Sequence, residues 1–136
     1  MSSAFGGGPG TLDSCPCGSG VPYDRCCGAL HRGEAVASTA EQLMRSRYAA
    51  YARGLEDYLL ATWHPATRPG SLALDPAVEW LRLEVLGFSG GGERDDRGEV
   101  EFTAHYRERG RRGSLHERSR FTRRGGRWLY LEGTVD

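Results

Sequence analysis

Gly98-Glu99-Val100-Glu101-Phe102-Thr103-Ala104-His105-Tyr106-Arg107 alternates without a break. Val100, Phe102, Ala104 and Tyr106 fall on one side, and Glu99, Glu101, Thr103 and His105 on the other. A period of two is the pattern of a half-buried strand in an antiparallel sheet. Downstream, 114–123 alternates again, with Leu115, Glu117, Ser119 and Phe121 opposite His116, Arg118 and Arg120. Arg111-Arg112-Gly113 is read as the turn between these strands, and Gly125-Gly126 as the turn into a last strand over 127–133. Upstream, 81–88 is apolar enough for a buried strand that Gly90-Gly91-Gly92 closes.

Before the strands the period changes. Ser38-Thr39-Ala40-Glu41 reads as a capping box opening a helix through Arg53. Leu43, Met44, Arg47, Tyr48, Tyr51 and Ala52 recur at helical spacing, and Gly54 can end the helix. A second short helix spans 55–62 and presents Tyr58, Leu59 and Trp63, until His64-Pro65 breaks it. Asp75-Pro76 suits a further helical turn reaching Trp80. Helices followed by an antiparallel meander make an α+β domain over 38–136.

All four cysteines lie ahead of this domain, in Cys15-Pro16-Cys17-Gly18-Ser19-Gly20-Val21-Pro22-Tyr23-Asp24-Arg25-Cys26-Cys27. Four thiolates brought together by a Gly-Ser-Gly turn match the sulfur-rich, four-coordinate shell of a structural zinc. Amides near Gly18–Gly20 are placed to donate to the thiolates. Disulfides fit less well: a bond between adjacent Cys26 and Cys27 is strained, and nothing at the N-terminus resembles a secretory signal. A redox pair reads C-x-x-C, whereas this chain has C-x-C. Four protein ligands leave zinc no open position, which points to structure or docking rather than hydrolysis. His31 is read as a surface residue in a linker over 28–37, and 1–13 as a flexible lead-in. The zinc knuckle, 14–30, is expected to hang from the domain as a unit held together by metal alone.

Eighteen basic residues balance eighteen acidic ones, which argues against a general nucleic-acid-binding surface. Every basic residue is arginine, a chain-wide bias that needs no local site. Arg107, Arg109, Arg111, Arg112, Arg118, Arg120, Arg123 and Arg124 are nonetheless close enough in sequence to form a basic patch over the hairpin. Such a patch would suit ribosomal RNA, but arginines guarding a solvated strand edge are the favoured account. No apolar run is long enough for a membrane helix, and reduced thiols without a signal suggest the cytoplasm.

The cysteine segment resembles the SEC-C motif, the zinc-binding tail of the SecA translocation ATPase. Leu43-Met44-Arg45-Ser46-Arg47-Tyr48, Thr62-Trp63-His64-Pro65, Glu117-Arg118-Ser119-Arg120-Phe121 and Trp128-Leu129-Tyr130, in that order, resemble the YchJ-like bacterial family. The resemblance implies a cone-shaped domain of the nuclear-transport-factor-two-like (NTF2-like, cystatin-like) type, with helices packed on a curved antiparallel sheet. It implies no reaction, since folds of this shape include isomerases, dehydratases and plain binding modules. It also implies protein partners for the knuckle, because the similar SecA-type motif contacts a chaperone and the ribosome. Tyr23 and Arg25 on the rim suit a flat protein or RNA contact. Some members carry a second SEC-C motif after the domain, and this sequence shows none. Dimers are common in the fold class, though the face with His105, His116 and Arg118 is polar.

If Leu115 and Phe121 face the core, Glu117 points into an apolar cone and needs a partner, which Arg45 or Arg47 can supply. His64 is placed near the pocket mouth, where His64 and Glu117 would suit proton transfer beside a carbonyl. The plainer account makes Glu117 part of a structural ion pair, His64 a helix-end hydrogen bonder, and Tyr48, Tyr51, Trp63 and Trp80 core. The sequence therefore reads first as a protein, ribosome or RNA interaction module with a structural zinc, leaning away from an enzyme. The alternative is a small-molecule-binding or isomerase/dehydratase-like pocket formed by Arg45, Arg47, Tyr48, Trp63, His64 and Glu117.

Overall fold

The computed structural model describes residues 13–136, so the expected lead-in lies outside the described residues except for Asp13. A 3-10 turn (Tyr23–Arg25) and helix α1 (Cys27–His31) form the knuckle. Helices α2 (Ala40–Arg53) and α3 (Glu56–Ala61) follow. Strands β1 (Val78–Gly90), β2 (Arg97–Glu108), β3 (Arg111–Arg124) and β4 (Arg127–Val135) then build one antiparallel sheet in sequence order. No helix among the described residues is long and apolar enough to cross a membrane.

The alternating segment becomes β2, with Val100, Phe102 and Ala104 buried. They meet Leu43, Met44 and Tyr48 of α2, with Phe121 and Trp128 from β3 and β4, in one core. Bulges in β1 at Trp80/Arg82 and Val85/Gly87, and in β4 at Leu131 opposite Arg120/Phe121, bend the sheet around the helices. The outer face carries ion pairs instead of apolar side chains. Glu84 meets His105, Glu101 meets His116, Arg118 meets Glu99 and Glu101, and Arg120 meets Glu132.

Three local expectations shift. The α2 cap is Thr39, whose hydroxyl accepts from Gln42 N at 3.1 Å, while Gln42 Oε1 accepts from Ser38 N at 2.7 Å. The capping pair is thus Thr39 and Gln42, one residue later than Ser38 and Glu41. The β2–β3 turn is Arg109-Gly110, both at positive φ, and not Arg111-Arg112-Gly113. Gly113 is a strand glycine that makes room for the ring of Tyr106 opposite it; a Cβ there would stand 2.7 Å from that ring. Asp75-Pro76 starts no helix, because Val78 and Trp80 pair with Glu108 and Tyr106 in the sheet.

Candidate functional site: a cysteine cluster and the cavity beneath helix α2

The tight loop Gly18–Gly20, with both glycines at positive φ, folds Cys15 and Cys17 back toward Cys26 and Cys27. The four Sγ atoms lie within 4.8 Å of one another, so one metal ion can touch them all. Cys15, Cys17 and Cys27 are buried, and none of the four is in a disulfide. Ser19 Oγ lies 3.1 Å from Cys26 Sγ, and the Ser19 amide donates to Cys17, as expected of that loop. Without a cation, thiols this close share protons. Cys15 and then Cys27 donate to Cys17 and hold it as a thiolate well below the usual thiol range. The same contacts push Cys15 up to about 11 and Cys27 higher still. A bound cation removes this proton sharing by stabilising every thiolate at once.

The knuckle does not hang free. Arg45 Nη1 donates to Cys17 O at 2.7 Å, and Ala49 is buried among Cys15, Cys17 and Cys27. Arg53 lies over the Tyr23 ring, 4.0 Å from its centroid. His31, read as a surface residue, is half-buried and joins the two parts. Its Nε2 donates to Ser46 O at 2.8 Å, so its Nδ1 accepts from the Tyr23 hydroxyl at 2.6 Å. Residues 45, 46, 49 and 53 form one face of α2, and Leu43, Met44, Arg47 and Tyr48 form the other. The helix is sandwiched between knuckle and sheet.

Under the second face lies a cavity of about 260 Å³, walled by Arg47, Tyr48, Tyr51, Trp80, Phe102 and Glu117, with Tyr130 and Ser119 at its floor. Of the six residues expected here, Arg47, Tyr48 and Glu117 line it. Arg45 is committed to Cys17 O and Glu41. Trp63 sits behind the wall, edge-on to Tyr130 with centroids 5.0 Å apart, its indole Nε1 buried without a partner. His64 is a turn residue away from the cavity: its N–H donates to Tyr130 O, and its Nδ1 accepts from Ala66 N. The expected pairing of His64 with Glu117 is not assembled.

Arg47 is 5% exposed. Nη1 donates to Leu59 O at 2.8 Å and to Thr62 Oγ1 at 2.7 Å, and the guanidinium lies 4.6 Å from the Tyr130 centroid and 5.0 Å from that of Trp63. Burial pulls its pKa down, and nearby Tyr51, Tyr130 and Glu117 oppose that. Desolvated cation–π contacts are worth about 2 kcal/mol, which offsets part of the burial cost. Glu117 does not pair with it. Glu117 Oε2 accepts from the hydroxyls of Ser119 and Tyr130. Burial pushes the Tyr48 hydroxyl up to about 12 and Tyr51 and Tyr130 upward too, so the cavity phenols stay protonated. Tyr130 was missed as a cavity residue because Trp128-Leu129-Tyr130 reads only as a short strand; its alternation with Trp128 was the available signal.

Five of the eight hairpin arginines meet carboxylates: Arg107 meets Glu79, Arg109 meets Glu108, Arg118 meets Glu99 and Glu101, Arg120 meets Glu132, and Arg123 meets Asp96.

Residues 39–133 match the family model described as the YchJ middle NTF2-like domain, and residues 13–29 match the SEC-C motif. A UPF0225 protein of Streptomyces coelicolor is 52% identical over 119 residues, spanning 88% of this chain and 93% of the relative. One from Chromobacterium violaceum is 52% identical over 126 residues, spanning 90% and 93%. The solution structure of a SEC-C motif protein from Rhodopseudomonas palustris superposes with a TM-score of 0.79 at 43% identity, covering 90% of this chain and 98% of that one. The crystal structure of one from Psychrobacter arcticus gives 0.76 at 26% identity, covering 93% and 85%.

Proposed function

Since the chain belongs to the YchJ-like family of SEC-C, NTF2-like proteins, we propose that it binds a small molecule in the cone cavity and carries a structural zinc that secures the roof of that cavity. The observation that carries this reading is Arg47: a buried cation on the cavity wall, joined to no carboxylate among the described residues. A charge used only for packing is normally paired with an opposite charge, whereas this one is held by uncharged groups alone and lines the cavity. Zinc is supported by distance. A zinc–sulfur bond of about 2.3 Å sets a tetrahedral edge of about 3.8 Å, and Cys17 Sγ and Cys26 Sγ lie 3.7 Å apart. The knuckle then acts as a staple, fixing α2 and with it Arg47 and Tyr48.

Freshly purified protein should release a small molecule on denaturation, detectable by mass spectrometry, together with one zinc per chain. Ala104→Phe, which plugs the cavity, should lose the molecule and keep the zinc. Equal yield from the plugged variant would contradict the cavity reading.

Val21, 40% exposed beside exposed Arg25, favours a second reading, in which the knuckle rim also contacts a protein or ribosomal RNA. Arg25→Glu would abolish that association and leave the cavity ligand in place. Association that does not weaken with salt would exclude RNA.

A further inference from the structure

We infer that the cavity ligand is a small zwitterion with an apolar body, of the kind an apolar α-amino acid represents: its carboxylate meets Arg47 and its ammonium meets Glu117. This rests on the cavity being a binding site and goes on to specify the ligand. The two charges line the same cavity without forming an ion pair. Tyr130 spans the gap, with the guanidinium over its ring face and the Glu117 carboxylate at its hydroxyl, 3.3 Å away. The charges therefore stand about one phenol ring apart, the separation at which a compact molecule touches both.

Both groups also have unused capacity. Arg47 spends Nη1 on Leu59 O and Thr62 Oγ1 and one further contact on the Tyr51 hydroxyl, so part of its five-donor fork remains for a ligand carboxylate. Ser119 and Tyr130 both donate to Glu117 Oε2, which leaves Oε1 for a ligand donor. Gly133 leaves room for the carboxylate, since a Cβ there would collide with Oε2. A ligand with one charge would desolvate the opposite group without satisfying it, and a neutral ligand would do so twice. A zwitterion satisfies both. Between the charges the walls are Tyr48, Trp80, Phe102 and Leu115, which suit an apolar or aromatic body better than a polar one.

The test uses the metal-loaded full chain and reads amide and aromatic NMR shifts of cavity residues against three probes: L-phenylalanine, phenylpropionate and phenethylamine. Phenylalanine should bind at least about tenfold more tightly than either single-charge analogue. Glu117→Gln should reduce phenylalanine to the level of phenylpropionate, and Arg47→Lys, which keeps the buried charge, should weaken both carboxylates and leave phenethylamine unchanged. Equal binding of phenylalanine and phenylpropionate, indifferent to Glu117→Gln, would overturn the zwitterion and leave the cavity as a binding site. No shift with any probe would overturn both.

Discussion

His31 sits where a single proton changes the bond between knuckle and helix. Burial holds its pKa below the ordinary value. With a depressed folded pKa, the unfolded chain takes up the proton first as pH falls. The stability His31 contributes is thus complete above about pH 6.5 and is lost as pH drops through the lower folded value. In a comparison of thermal melts, His31→Gln should flatten that acid-side loss relative to the parent protein. Gly28 is a second residue with no slack: a Cβ there would stand 2.6 Å from the backbone oxygen of Tyr23. Gly28→Ala should cost about 1–3 kcal/mol in denaturant unfolding, as overpacking does. Glu117→Gln belongs to the opposite class. Glutamine keeps an oxygen for Ser119 and Tyr130, so the loss should stay under about 1 kcal/mol while ligand preference changes. None of these three roles was legible from residue type alone. His31 looks like linker because its two partners come from the 3-10 turn and from α2. The face of Glu117 was readable from Leu115 and Phe121, but its separation from Arg47 depends on Tyr130.

At the scale of elements, the alternation of 98–107 and 114–123 placed both central strands, because one buried face makes register a one-residue decision. Their common turn was misplaced because two Arg-Gly steps, at 109–110 and 112–113, lie close together in sequence. Only the tertiary fit of Tyr106 over Gly113 separates them. Helix α2 was legible along its sheet-facing stripe and hidden along its knuckle-facing one. Ser46 and Ala49 do not read as a packing face until Cys17 and His31 stand against them. The cap offers a direct check. Thr39→Ala should destabilise by about 1 kcal/mol, and Ser38→Ala by less, because the Thr39 side chain alone accepts from the helix N-terminus at Gln42 N.

Across the whole molecule, the knuckle and cone form a continuous structure in which the cysteine cluster, α2 and the cavity are stacked in that order. The sequence suggested a tethered unit because the seventeen residues of 14–30, with four cysteines, have no apolar core of their own. That unit borrows a core from Ala49 and is tied by Arg45, His31 and Arg53. Removing the metal should therefore loosen more than 14–30. The measurement that reads this most directly is amide hydrogen exchange on the zinc-loaded protein before and after chelation. The stapled account predicts that protection falls in the knuckle and along α2, at Ser46 to Tyr51, while the central strands β2 and β3 stay protected. Loss confined to the knuckle, with α2 as protected as before, would contradict the claim that the metal site secures the roof of the cavity.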